Sequence, residues 1–170
     1  KSNKCIVTKD MAEALKLVQN ELQSMGLGLK VYDAYRPQMS VDHFLRWANN
    51  ESDTITKKEF YPTLSKKELI ENVYIATKSS HSRGGAIDLT IISFPPSKQE
   101  PFNVESQWDC SEGNYSLKRD NSLDMGSGYD CFHEISHTNS MIINSQQRAN
   151  RLLLKSLMEK YGFKNYYKEW

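Results

Sequence analysis

The stretch Ser79-Ser80-His81-Ser82-Arg83-Gly84-Gly85-Ala86-Ile87-Asp88 constrains this chain more than any other. An imidazole and a carboxylate stand seven positions apart, with two glycines between them and an apolar, β-branched run behind. Glycines at 84 and 85 let the backbone turn tightly enough to aim both side chains at one point. Residues 86–92 read as a strand whose front end lies in the glycine loop. On spacing alone two readings stay open: a pair of metal ligands, or a polar turn in which Asp88 merely begins a strand.

The rest of the chain supplies an ordinary globular frame. With 170 residues, 38% hydrophobic and 25% charged, it is expected to form one domain around its own core, not a disordered chain. A formal charge of +1 gives no reason to expect nucleic acid or an anionic membrane as partner. No apolar stretch approaches the roughly 20 residues that cross a bilayer. The N-terminus lacks a signal peptide's apolar core, so any export signal is expected to have been removed from this chain. Cys110 and Cys131 lie in a region rich in Gly, Asn, Asp and Ser, which suits a disulfide stapling a long insertion and leaves Cys5 over. Free thiols in a reducing compartment are the other reading. No Cys-x-x-Cys occurs, which excludes a structural zinc ribbon.

Residues 10–25 read as an amphipathic helix through Met11, Leu15, Val18 and Leu22, stopped by Gly26 or Gly28. Residues 29–35 alternate as a strand that ends at Arg36-Pro37, and Pro37 suits the first turn of a helix with the stripe Val41, Phe44, Leu45 and Ala48. Arg36 is thereby set at a strand-to-helix junction. Ser65-Lys66-Lys67-Glu68 is a capping box. Residues 93–120, with Pro95, Pro96 and Pro101, read as a long loop. Residues 145–161 form the clearest helix, expected to bury Ala149, Leu152, Leu153, Leu157 and Tyr161, and residues 163–170 read as a short final strand. Helices and strands mix without βαβ regularity, so the fold class is α+β, with a central, mainly antiparallel sheet flanked by helices.

Five further residues complete the chemical inventory. Glu169 stands among Tyr166, Tyr167 and Trp170, where desolvation would raise its pKa toward that of a general base; a surface Glu is the alternative. Arg36 can hold an oxyanion through its fork of donors, or serve as a salt-bridge residue. His133 and His137 could share a helix face but lack a third partner, and His43 reads as solvated or half-buried.

Taken in order, Val31-Tyr32-Asp33-Ala34-Tyr35-Arg36-Pro37, the Ser-x-His-x-x-Gly-x-Ala-x-Asp pattern of residues 79–88, Leu123-Asp124-Met125-Gly126, Asn150-Arg151-Leu152-Leu153-Leu154 and Glu169-Trp170 resemble the VanX-type D-alanyl-D-alanine dipeptidases. Those zinc peptidases share a fold with zinc D-Ala-D-Ala carboxypeptidases and the Hedgehog signalling domain. The resemblance implies Zn2+ held by His81 and Asp88, Glu169 as general base and Arg36 on the oxyanion. It implies Ser79 and Asp124 as substrate-positioning groups, with Asp124 on the free ammonium of a small D,D-dipeptide. The family's closing motif continues to a His that is the third zinc ligand, expected two positions beyond Trp170. Residues 1–170 are therefore expected to be a single zinc peptidase domain lacking N- and C-terminal segments of a longer protein. Two alternatives accompany the dipeptidase reading: a D,D-carboxypeptidase trimming peptidoglycan stems, and a non-catalytic Hedgehog-like binding domain. The disulfide tilts the expected location to the periplasm or exterior, with the cytoplasm as alternative. No oligomeric state is implied.

Overall fold

The computed structural model of the chain describes residues 4–72, 74–99, 101, 103, 105, 107–113 and 120–170. The first helix, α1 (Lys9–Ser24), starts where the Thr8 hydroxyl accepts the Met11 N–H, and it buries Val18 and Leu22 completely. Gly26, at φ 70°, turns the chain out of α1 into β1 (Leu27–Asp33). α2 (Gln38–Ala48) follows Pro37, which takes the N-cap position. α3 (Lys57–Phe60) is a single turn that the sequence pattern did not announce. α4 (Lys66–Glu71) opens on the expected reciprocal cap, with Ser65 and Glu68 each accepting the other's backbone N–H. A 3-10 turn (Ser80–Arg83) leads into β2 (Asp88–Ser93), and α5 (Ser145–Lys160) closes the order, capped reciprocally by Asn144 and Gln147.

β1 and β2 pair antiparallel, from Leu27 opposite Ser93 to Asp33 opposite Asp88, with a bulge between Val31 and Asp33. Ser122 adds a single bridge to Ile92, and Leu123 donates to the Ile91 carbonyl. The fold is thus α+β, with α1 and α5 packed on the sheet. Between them lies one core of Val18, Leu22, Leu89, Ile91, Met125, Leu154 and Leu157. No described helix is long and apolar enough to cross a membrane.

Four local expectations need correction. β1 stops at Asp33 instead of running to residue 35. The Asp33 carboxylate caps Ala34 N–H, Tyr35 N–H turns to the Ile6 carbonyl and Arg36 N–H to the His81 carbonyl, so no ladder donor remains. Phe44 is 42% exposed and faces the Arg36 guanidinium, 5.1 Å from its ring centroid, not the core. Residues 163–170 form turns, because Glu169 N–H bonds to Tyr166 within the segment and Thr138 takes the Tyr167 and Glu169 carbonyls.

α5 presents Gln147, Asn150, Arg151, Leu154 and Leu157 inward, while Leu152 is 50% exposed. Its polar members are inward because the segment beside it needs donors. Asn150 donates to the Asp124 carbonyl at 2.8 Å, Arg151 to those of Met125 and His137 at 2.6 and 2.8 Å, and Gln147 to that of Gly113 at 2.8 Å. The expected loop at 93–120 gives its first residue, Ser93, to the end of β2, and no other named helix or strand falls among its described residues; positions 100, 102, 104, 106 and 114–119 lie outside them. Cys110 and Cys131 are bridged and buried, while Cys5 is free and exposed.

Ile91 is 0% exposed at the centre of this core. Ile91→Ala is expected to cost about 2–5 kcal/mol, read as a lower urea midpoint with an unchanged m-value.

Candidate active site

The end of the β1–β2 pair assembles a polar cluster. Antiparallel register sets Asp33 against Asp88, and the 3-10 turn between the strands returns His81 to the same end. Ser79 caps that turn by accepting the His81 N–H at 3.2 Å. Gly84, at φ 65°, closes it, donating to the His81 carbonyl while its own carbonyl accepts Thr8 N–H. His81 Nδ1 lies 2.7 Å from the Ala34 carbonyl. A carbonyl only accepts, so Nδ1 carries the proton and Nε2 presents its lone pair. That lone pair faces Asp88 Oδ1 at 3.4 Å.

Asp33, His81 and Asp88 offer ligand atoms all within 4.8 Å of one another, a group suited to a metal ion. Their partners divide the roles. Asp33 Oδ1 accepts Ala34 N–H and Oδ2 accepts both Nε and a terminal nitrogen of Arg36, at 2.8 and 2.7 Å. Asp33 is thereby engaged by the guanidinium, whereas His81 Nε2 and Asp88 Oδ1 turn toward each other. Asp88 Oδ2 accepts from the Tyr129 hydroxyl at 3.3 Å and stands 3.7 Å from Arg36. The Tyr129 ring stacks on Tyr32, with centroids 4.2 Å apart.

Electrostatics add two carboxyls to this end. Burial, then the charges of Asp130 and Asp88, push Glu169 up to about 8. Burial and then Asp88 push Asp130 up to about 7. Burial alone would lower His81, but in the protonated ring Nε2–H donates to Asp88, and that bond with the Asp88 charge outweighs burial, so the net shift is upward. The Arg36 pKa is likewise raised: burial works against its charge, and Asp33 overcomes it. Carboxylates so crowded around one guanidinium form a donor set that favours a divalent cation. Glu169 is held from behind: Thr138 Oγ donates to its carbonyl, and Trp170 Nε1 donates to Ser127 Oγ at 2.8 Å.

The sequence candidates therefore fare differently. His81, Asp88, Arg36 and Glu169 share this cluster, and Ser79 adjoins His81. Asp124 does not join them through any bond among the described residues. Its Oδ1 accepts Gly126 N–H at 2.9 Å and its Oδ2 accepts from Gln147 at 3.0 Å. His133 and His137 are apart in role: His133 Nδ1 accepts Ile135 N–H, while His137 Nε2 meets the Tyr74 hydroxyl at 3.2 Å. His43 is exposed. Asp33, Tyr129 and Asp130 were missed. For Asp33 the available signal was an acid three positions before Arg36; for Asp130, an acid following Gly126-Ser127-Gly128-Tyr129, as Asp88 follows Gly84-Gly85.

With this geometry in hand, the likeness to other proteins is informative. The family model described as D-ala-D-ala dipeptidase, peptidase family M15, matches residues 1–95 and 94–170. The chain belongs to this peptidase family. A D-alanyl-D-alanine dipeptidase of Enterococcus faecalis (strain ATCC 700802 / V583) is 37% identical to it over 99% of this chain and 72% of the relative. Relatives of the same name from Enterococcus faecium and from Streptomyces coelicolor (strain ATCC BAA-471 / A3(2) / M145) are 34% and 33% identical, each with 99% of this chain and 72% of the relative covered. The M15 chain is a peptidase, and Asp33, His81 and Asp88 form a group that could hold a metal ion.

Asp33→Asn should release the guanidinium without removing a ligand. Turnover is expected to drop about 100-fold while metal content measured by plasma mass spectrometry stays constant. Loss of the metal instead would make Asp33 a ligand.

Proposed function

We propose that the protein hydrolyses free D-alanyl-D-alanine to two D-alanines with one zinc ion. The observation that carries this reading is the His81 Nε2 lone pair facing Asp88 Oδ1 at 3.4 Å, at the end of the sheet where Arg36 and the raised Glu169 carboxyl also act. His81 and Asp88 would hold the ion, and a His beyond Trp170 is the expected third donor. One imidazole and one carboxylate suit zinc, which takes nitrogen and oxygen ligands in a site with a position left for water. An ion held there would supply Lewis acidity, lowering the pKa of a water and polarising the scissile carbonyl.

The remaining steps belong to the side chains. Glu169, whose proton affinity burial and neighbouring carboxylates bring near neutrality, takes a proton from the attacking water and returns it to the leaving amine. Arg36, aimed by Asp33 and braced on Phe44, supplies donors to the developing oxyanion. Ser79 Oγ accepts from His81 N–H, and its own O–H remains to position the substrate. Asp130, raised by the Asp88 charge and itself raising Glu169, is the better partner for the substrate's free ammonium. Asp124 has both oxygens occupied. Gripping the ammonium favours a free dipeptide over a longer stem, whose scissile bond lies far from any free α-amine.

The buried Cys110–Cys131 bridge supports a location outside the reducing cytosol, in the periplasm or beyond. Cell fractionation combined with thiol counting under denaturing, non-reducing conditions tests this; recovery in the cytosol with reduced thiols would overturn it.

The experiment for the activity pairs zinc analysis with D-alanine release on the full-length protein, offering D-Ala-D-Ala and a stem pentapeptide side by side. About one zinc per chain with cleavage of the dipeptide alone is the expected result; cleavage of the pentapeptide would make it a carboxypeptidase. Glu169→Gln should keep zinc and lose roughly 1,000-fold or more in kcat. Asp88→Asn should lower zinc occupancy, and full zinc with full activity would remove Asp88 from the ligand set.

A further inference from the structure

Asp130 is the one non-glycine residue with positive φ, 52°, among those described, so its side-chain direction depends on what holds its backbone. Two anchors flank it. On one side the Tyr129 ring stacks on Tyr32 and its hydroxyl reaches Asp88. On the other, Cys131 is bridged to Cys110, with Cα atoms 5.5 Å apart. The far end of the bridge is itself fixed: Cys110 N–H donates to the Lys58 carbonyl, and Gly128 N–H donates to that of Cys110 at 2.8 Å. Phe132 N–H, just past the bridge, donates to the Phe60 carbonyl at 2.7 Å. The bridge therefore ties the Asp130 backbone to α3, an element separate from the strand that carries Asp88 and the turn that carries His81.

We propose that the Cys110–Cys131 disulfide is a positioning device for the reaction, holding Asp130 in its left-handed conformation so that the carboxylate meets the substrate's ammonium. This rests on the reading of Asp130 given above. The bridge acts through Asp130 and touches neither the substrate nor the metal-facing pair. Cys110 and Cys131 are 0% and 1% exposed, which shields the sulfurs from exchange and suits a permanent anchor, not a switch. A bridge that served only the global fold would lower stability on removal and leave substrate affinity alone.

The test is a two-by-two set on the full-length, zinc-loaded protein: wild type, C110A/C131A, D130N and the triple variant, with KM and kcat for D-Ala-D-Ala and zinc content measured on each. Removing the bridge is expected to raise KM about tenfold, with a smaller change in kcat and unchanged zinc. In the D130N background it should raise KM no further, because both changes act through one carboxylate. An unchanged KM in C110A/C131A, or the same rise in both backgrounds, overturns the inference. D130N with wild-type KM overturns the ammonium reading, and this inference with it, whatever the bridge does. Should C110A/C131A fail to fold, wild-type enzyme opened with dithiothreitol and verified by thiol count takes its place. A tenfold higher KM there supports the anchor, and an unchanged KM overturns it.

Discussion

The hydrogen bond between His81 Nδ1 and the Ala34 carbonyl joins the two halves of the site and decides what chemistry the imidazole can offer. Ala34 has left the ladder because the Asp33 side chain has taken its N–H, and its carbonyl is thereby free to turn toward the glycine loop. That carbonyl fixes the tautomer and points the Nε2 lone pair at Asp88. The neighbouring bond from Arg36 N–H to the His81 carbonyl repeats the connection in the opposite sense. One short crossing between β1 and the loop thus orients the His81 imidazole and starts the turn that carries Arg36.

What the cluster gives in chemistry it takes from the local stability of the charged groups. Asp33, Asp88, Asp130 and Glu169 surround one guanidinium, and the two least compensated, Asp130 and Glu169, are pushed up toward neutrality. Burial is the larger cause for both, and like charge the second. Arg36 is spent mainly on Asp33, at 2.7 and 2.8 Å, and reaches Asp88 only at 3.7 Å. The result is a site whose negative charge is matched in full only by a bound cation. That division separates a carboxylate suited to metal from one suited to proton transfer, by environment and not by residue type.

His81, Asp88 and Arg36 were legible in the sequence because each lies where a strand meets a turn, and strand ends and glycines are local signals. The helices at 10–25 and 145–161 were legible in extent for the same reason. The inward face of α5 was not. Apolar periodicity selected Leu152 and Ala149, whereas the neighbouring segment needed donors, and Asn150 and Arg151 supply them. Aromatic, β-forming residues at 163–170 suggested a strand. The segment instead closes turns on itself and gives its remaining carbonyls to Thr138, a partner about thirty residues earlier that no local pattern reveals. Asp130 was hidden for a related reason: its aim comes from a positive φ and a bridge to Cys110.

Buried Arg151 shows how far the fold goes to hold these distant segments together. It is 1% exposed, faces carbonyls where a carboxylate would be expected, and burial, followed by the charge of Arg148, pushes it down to about 10. One of its terminal nitrogens has no hydrogen-bond partner among the described residues. An uncompensated guanidinium is costly in a core. Its bonds explain its place: Met125 belongs to the segment that continues to Tyr129 and Asp130, while His137 precedes Thr138, which holds the Glu169 backbone. Ser127 bonds both Ser136 and Trp170 and ties the same two segments a second time. Glu169 and Asp130 come from separate stretches of chain, and a single buried cation on α5 keeps them in register. A smaller apolar residue at 151 would fill the core more cheaply, yet it would strip the buried Met125 carbonyl of its donor, cut the link from it to His137 and leave the two carboxyls free to drift apart.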